Sequence, residues 1–344
     1  MNVRFANKQE IKNWDKHLTT NPDGGNIFAS HEFANQKETG GYKARYIWVE
    51  SLAITVLEKN APPIGKLWYL PKGPGVKSVE DLDTTVKKIA GFAKSQGVFA
   101  IKLESELDIS NQPTLESLGY IKARPIIPNP STITVDISNG LEEVMSDLPQ
   151  KGRHAIRRAE RDGVTTKLVP STDENCQIMF RLLADTAKGQ FGIRSYEYYR
   201  TFWQRFESTG LGQLFFAYYE GQIVAGAYAM TLGSKSTYKD GASVRDRSAY
   251  GASHLLQWEV IKWAKSKGSS LHDFCGSPPS DSIDDKNHKH YGVGQFKKAF
   301  NRTVTDYIGC YDYIIAPLRY KIWTRVGERL AHRLHYYKNH DSYY

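Results

Sequence analysis

Along the first third of the chain, apolar positions switch repeatedly between the two-residue period of a strand and the longer period of a helix. Tyr42–Glu50, Ala53–Glu58 and Lys66–Leu70 read as strands, Val79–Gln96 as a helix stopped by Gly97, and Phe99–Glu104 as the next strand. A Pro-rich passage, Pro125–Pro130, interrupts this order and reads as a crossover between domains. Thr132–Asp136 is then a strand. The helix after it buries Ala155, Ile156 and Ala159, and Gly163 stands where a left-handed C-cap is wanted. Helices over Asp173–Lys188 and Tyr196–Glu207 follow. Leu214–Tyr219 and Gln222–Thr231 form a hairpin turning at Glu220-Gly221. Tyr250–Lys267 is amphipathic, with Leu256, Val260, Trp263 and Ala264 on its buried side.

One string recurs. Phe92-Ala-Lys-Ser-Gln-Gly97 matches Trp263-Ala-Lys-Ser-Lys-Gly268 at an offset of 171 residues, and both end a helix just before a strand. An offset close to half the chain points to two copies of one fold. Each half is then a mixed α/β domain with helices packed on a largely antiparallel sheet. The expected boundaries are 1–131 with 312–344 returning to it, and 132–311.

Composition narrows the class. A length of 344 residues suits two domains, and 40% hydrophobic with 12% aromatic residues gives real cores, which excludes disorder. No apolar run approaches the roughly 18 residues of a membrane span. The start, Met1 to Lys8, lacks the apolar centre of a signal peptide, so a cytoplasmic protein is expected. Cys176, Cys275 and Cys310 are too few and too far apart for a zinc or disulfide framework. His288 and His290 share a loop but have no third ligand at a recognised spacing, so no metal is expected.

The net charge of +9 favours polyanionic partners such as RNA, anionic lipid or a phosphorylated substrate. Two helices concentrate it. Lys151, Arg153, Arg157, Arg158 and Arg161 fall within eleven residues, and Arg153, Arg157 and Arg161 form one stripe. The stretch Leu318–Lys338 carries Arg319, Lys321, Arg325, Arg329, Arg333 and Lys338, with Ile322, Val326, Leu330 and Leu334 at about helical spacing. Such a helix packs back on the protein body or meets an anionic membrane surface, and the two are compatible.

Several strings, in order, carry a resemblance over nearly the whole chain. They are Phe28-Ala-Ser-His-Glu-Phe-Ala-Asn-Gln-Lys37, Tyr69-Leu-Pro-Lys-Gly-Pro74, the segment from Thr132 through the basic helix, Gly192-Ile-Arg-Ser-Tyr-Glu-Tyr-Tyr199, Tyr238-Lys-Asp-Gly-Ala-Ser243, Asp273-Phe-Cys-Gly276 and Gly294-Gln-Phe-Lys-Lys-Ala-Phe300. Together they resemble the FemABX peptidyltransferases, which build peptidoglycan cross-bridges. No heptad hairpin is present, so the chain resembles the compact members without a coiled-coil arm. The resemblance implies an α/β fold of two tandem GNAT-like domains with mixed, largely antiparallel sheets flanked by helices.

It also implies a reaction: transfer of an aminoacyl group from tRNA to an amine of the stem peptide on UDP-MurNAc-pentapeptide or lipid II. Aminoacyl-tRNA is then a co-substrate and no cofactor is needed, in keeping with the lack of a Walker-type loop. The implied protein is a monomer with peripheral contact to the inner membrane surface. Lys297 takes the place of the family's oxyanion-stabilising lysine, and Phe296 that of the aromatic shaping the tRNA-end pocket. Lys37, Arg194, Tyr198 and Tyr238 match the diphosphate-binding set, with Tyr250 a rival to Tyr238. Glu104 falls near the family's acidic base, and substrate-assisted proton transfer is the alternative. Lys151, Arg153, Arg157 and Arg161 are the candidates for tRNA phosphates.

Two other readings stand beside this one. An acyl-CoA N-acyltransferase would hold the CoA diphosphate on Arg247–Ala252, but Tyr250 occupies the first glycine that such a loop needs. A non-enzymatic RNA- or membrane-surface-binding protein would account for the charge but not for Phe296-Lys297.

Overall fold

The computed structural model describes residues 3–127, 130–187, 192–244, 249–339 and 343–344. The chain divides into two compact units, Met1–Pro130 with Asp306–Tyr344, and Ser131–Thr305.

Among the described residues, the first unit holds a seven-stranded sheet. Its spatial order is Val3–Phe5, Lys43–Val49, Leu52–Ala61, Gly65–Leu70, Val98–Leu103, Tyr311–Ile314 and Ile121–Lys122. Neighbours run antiparallel except Gly65–Leu70 and Val98–Leu103, which are parallel and joined by helix Val79–Ser95. Parallel strands cannot be joined by a tight turn, so the helix is the crossover. Ser78 caps it by accepting from the Asp81 amide, and Leu82, Val86, Ile89 and Ala93 lie buried on its sheet-facing side. The last long strand is stitched in by charge: Lys102 and Asp312 face each other in register and form an ion pair at 2.8 Å.

Among its described residues, the second unit holds a six-stranded sheet in the order Thr134–Asp136, Leu271–Asp273, Lys235–Ser243, Gln222–Leu232, Gly212–Tyr219 and Thr165–Val169. Its parallel pairing, Lys235–Ser243 with Leu271–Asp273, is again bridged by a helix, Ala252–Ser266. The repeated six-residue string therefore ends the crossover helix of both units, and Gly97 and Gly268 close it at φ +78° and +89°. The expected α/β class, with mixed, largely antiparallel sheets flanked by helices, is the one observed.

Helix Gln150–Arg161 packs against helix Ala252–Ser266 and against the segment after Lys297, through two glycines. A Cβ on Gly152 would stand 1.9 Å from the Ala299 carbonyl oxygen, and one on Gly251 would stand 2.3 Å from that of Ala155. Only residues without a side chain allow backbones that close.

Some elements differ from the sequence reading. Thr165–Val169 and Lys235–Ser243 were not anticipated as strands, because their side chains are mostly polar. They form by pairing with the strongly apolar hairpin beside them.

The C-terminal helix is Pro317–Ile322, a π turn over Trp323–Gly327, and Glu328–Asn339. It does pack on the first unit, but through Tyr320, Trp323 and Ala331 against Ala61, Leu67 and Phe99. The regular stripe Ile322, Val326, Leu330 and Leu334 stays outside, at 50, 58, 51 and 64% exposure. Aromatic rings bury more area per residue than aliphatic chains, so they take the inward side.

Candidate functional site

The second unit gathers most of the candidate residues. Strand Leu271–Asp273 ends in a short loop in which Cys275 and Gly276 both adopt positive φ, +54° and +79°. Asp273 holds that loop by accepting from the Cys275 amide at 2.7 Å and the Thr132 hydroxyl at 2.5 Å. The turn aims two carbonyls at Lys297, the last residue of helix Tyr291–Lys297. The Lys297 ammonium donates to the Cys275 oxygen at 2.7 Å and to the Gly276 oxygen, and the residue is only 5% exposed. An ammonium has three protons, so a third remains for another acceptor. Burial disfavours the charged form and pulls the Lys297 pKa down to about 8, although Cys275 and Asp273 act in the opposite direction. The neighbouring Lys298 is different: its ammonium is spent on the exposed Asp284 carboxylate at 2.7 and 2.9 Å.

Phe296 lines a cavity of about 510 Å³ with Tyr250, Gly251, Ser253, His254, Ser243 and Val224, at the start of helix Ala252–Ser266. His254 packs edge-on to Phe296 and flat on Phe300, at centroid distances of 4.9 and 5.8 Å. Burial, helped by the charge of Lys151, lowers its pKa to about 4, so it enters the cavity wall as a neutral imidazole.

The basic helix borders this cavity. Arg158 lies 4.6 Å over the Tyr250 ring, and a groove of about 320 Å³ runs along Arg153, His154, Arg157, Arg158 and Arg161. The buried face is Gly152, Ala155, Ile156 and Ala159, and Gly163 caps the end at φ +87°. One member of the expected stripe has a structural task. Arg153 donates to the carbonyls of Ser146 and Leu148, closing the end of the preceding helix, which leaves Lys151, Arg157 and Arg161 as the cations more open to a polyanion.

Arg194 and Tyr198 come together although the helix starts at Tyr196, with Ser195 as its N-cap. The Arg194 guanidinium stacks 4.7 Å from the Tyr198 ring. Tyr238, expected with them, instead packs on Phe274, and its hydroxyl is held by Gln257. A β-bulge explains the correction. The partner strand pairs Tyr228 with Asp240 and Ala229 with Tyr238, so Lys239 is the extra residue and the alternation of faces resets. Lys239, which sequence reasoning missed, lies 5.3 Å from the Phe202 ring and 2.9 Å from Asp240, in the field of Tyr198. Burial works against its charge, but Asp240, Tyr198 and Tyr199 together outweigh it and the pKa is raised. Tyr250 is exposed under Arg158, and Arg247 with Ser248 lies outside the described residues.

The remaining two candidates belong to the first unit. Lys37 lies in the last turn of helix His31–Glu38 with its ammonium 5.6 Å from the Phe33 ring and 5.9 Å from Tyr42. Glu104 is an anchor rather than the expected base. Its oxygens accept from the Tyr69 hydroxyl at 2.5 Å and from the amides of Ile126 and Ile127 at 2.5 and 3.2 Å, which ties down the Pro-rich segment. Both oxygens are thus engaged in holding neighbouring groups. Among the described residues, no group of three or more His, Cys, Asp or Glu is placed to hold a metal ion.

The second unit thus holds both a buried ammonium fixed by two carbonyls and an aromatic-lined cavity that Phe296 enters. A sequence model of the FemAB family matches residues 211–327. A lipid II:glycine glycyltransferase of Staphylococcus epidermidis is 22% identical over 92% of this chain and 94% of its own length. Its counterpart from Staphylococcus aureus is 35% identical over 112 residues, 33% of this chain and 26% of its own length. The crystal structure of FemX superposes with a TM-score of 0.78 at 20% identity, covering 94% of this chain and 99% of that one, a likeness of fold. Through these matches the chain is similar to the FemAB family.

Proposed function

We propose that this protein is an aminoacyltransferase that adds an amino acid to the stem peptide of a peptidoglycan precursor, forming the interpeptide bridge, with aminoacyl-tRNA as donor and no cofactor. The relatives named lipid II:glycine glycyltransferase support lipid II as the acceptor, and its nucleotide-linked counterpart UDP-MurNAc-pentapeptide is the alternative. The observation that carries the chemistry is the buried Lys297 ammonium, with two of its protons fixed by carbonyls.

In the reaction, the acceptor amine attacks the ester carbonyl carbon of the donor. Negative charge builds on that oxygen, the bond to the ribose oxygen breaks, an amide forms, and the amine proton passes to the departing ribose hydroxyl. Lys297 stabilises the oxyanion, a task that commonly contributes about 3–4 kcal/mol. Phe296 and His254 give the cavity a flat, uncharged wall suited to a nucleobase or aminoacyl ester. Lys151, Arg157 and Arg161 attract the tRNA backbone, and Arg194, Tyr198 and Lys239 offer cations and a hydroxyl to a diphosphate.

The test is incubation with a mixed aminoacyl-tRNA pool and either UDP-MurNAc-pentapeptide or lipid II, followed by mass spectrometry. The expected product is an acceptor heavier by one aminoacyl residue. Equal product with acetyl-CoA in place of the tRNA pool, or no product from either acceptor, would overturn the reading.

A further inference from the structure

The helix Pro317–Asn339 keeps an apolar face that stays exposed among the described residues. Seven of the fifteen large apolar side chains exposed among the described residues lie on it, so the exposure is concentrated rather than scattered. Leu318, Ile322, Val326, Leu330, Leu334 and Tyr337 are 50–73% exposed. The opposite side is fixed to the body by Tyr320, Trp323 and Ala331, and Gly327 lets it lie close: a Cβ there would meet Ile64 at 2.6 Å. The outward face is thus held facing solvent by its own packing.

Geometry keeps the stripe together. Four residues advance an α-helix by about 400°, so a stripe of every fourth residue drifts by about 40° per step. The π turn at Trp323–Gly327 has more residues per turn and takes back part of that drift.

Charge then selects the occupant. Between Pro317 and Asn339 the sequence has six Lys and Arg against the single acid Glu328. Arg319, Lys321, Arg325, Arg329 and Arg333 are all exposed along the same helix. A second copy of this chain would set two positive faces against each other, which disfavours self-association. A nucleic acid would use the cations but leave the aliphatic stripe in water. An anionic bilayer satisfies both, taking the aliphatic chains between its headgroups and the arginines against its phosphates. We propose that the outer face of helix Pro317–Asn339 seats the protein in the plane of an anionic membrane surface. No helix among the described residues is long and apolar enough to cross a membrane, so this is attachment and not insertion across it.

Sedimentation of the whole protein with vesicles tests this. One set is phosphatidylcholine alone and the other contains about 30% phosphatidylglycerol. Binding is expected to the anionic set only, and to weaken as salt is raised. Leu330→Ser with Leu334→Ser should lower vesicle affinity by about tenfold or more without changing the melting temperature, because both positions are exposed. Arg329→Gln with Arg333→Gln should also weaken binding and flatten its salt dependence. Neither pair is among the candidate site residues, so transfer to a water-soluble acceptor should match wild type. Failure of docking is therefore read separately from failure of the proposed chemistry. The proposal is overturned by a wild-type protein that ignores anionic vesicles, or by vesicle binding indifferent to the leucine pair. A dimer dissolved by the leucine pair, or tRNA affinity lost with the arginine pair in the absence of vesicle binding, would assign the face to another partner.

Discussion

Two lysines, one in each unit, are almost equally withdrawn from water, and they are held in opposite ways. Lys102 is 3% exposed and meets the Asp312 carboxylate at 2.8 Å, while Lys297 is 5% exposed and meets only neutral carbonyls. Burial opposes both charges. At Lys102 the charges of Asp312, Cys310 and Glu328, together with the Asp312 hydrogen bond, overcome it and the pKa is raised, whereas at Lys297 the opposing influence of Cys275 and Asp273 does not and the pKa falls to about 8. A buried cation with a full counter-charge is a structural rivet. One held by dipoles keeps its charge available to a reacting group.

The largest expected effect separates the two by stability. Lys102→Met strands a buried carboxylate that also accepts from Tyr320 at 2.9 Å, and should cost about 3–5 kcal/mol in chemical denaturation. Adding Asp312→Asn should return part of that loss. If the single change is silent, Lys102 is not the rivet described.

Lys297→Met should instead act on chemistry, lowering kcat by roughly 100-fold while the acceptor KM stays nearly constant. Lys298→Met is the control. Its ammonium serves an exposed carboxylate, so activity should remain close to wild type. Equal losses at the two positions would mean a general need for positive charge there, and full activity in Lys297→Met would end the oxyanion role.

Arg194→Ala should raise the acceptor KM by about tenfold through loss of a charge-assisted contact, with kcat little changed. The bulge adds a companion test, because Lys239→Met should move the same parameter and Tyr238→Phe should not. A change confined to Tyr238→Phe would reverse that assignment.

The smallest effect is the pH profile. The protonated form of Lys297 is the one needed, and its pKa is lowered, so kcat should be halved near pH 8 and fall further above it. In Lys297→Met the residual rate should lose this limb. Lys102 adds no feature below its usual range, because its shift is upward. A wild-type profile flat to pH 9 would place the Lys297 titration elsewhere.

The basic stripe sharpens in the same way. Because Arg153 closes a neighbouring helix, Arg157→Gln with Arg161→Gln is the cleaner pair, expected to reduce the salt slope of tRNA binding by about two.

Much was legible from the chain itself, for reasons that are local. The buried side of helix Ala252–Ser266 follows from apolar spacing, and Leu256, Val260, Trp263 and Ala264 are all buried as read. Gly163 ends the basic helix because a left-handed residue there suits glycine, and the six-residue echo marks equivalent crossover helices because the same turn ends both. Motif order singled out Phe296 and Lys297. Tertiary structure decided the rest, because each remaining question depends on what lies across a gap in sequence. Which way the Pro317–Asn339 stripe faces depended on two aromatic rings outcompeting four aliphatic side chains for the same core. Whether Tyr238 or Lys239 stands beside Tyr198 depended on one extra residue in a strand pair. Glu104 became an anchor because the backbone at Ile126 and Ile127 reaches it. Lys297 differs from Lys298 only once the carbonyls of Cys275 and Gly276 close over it: two adjacent lysines are the same in sequence, and water is removed from just one of them.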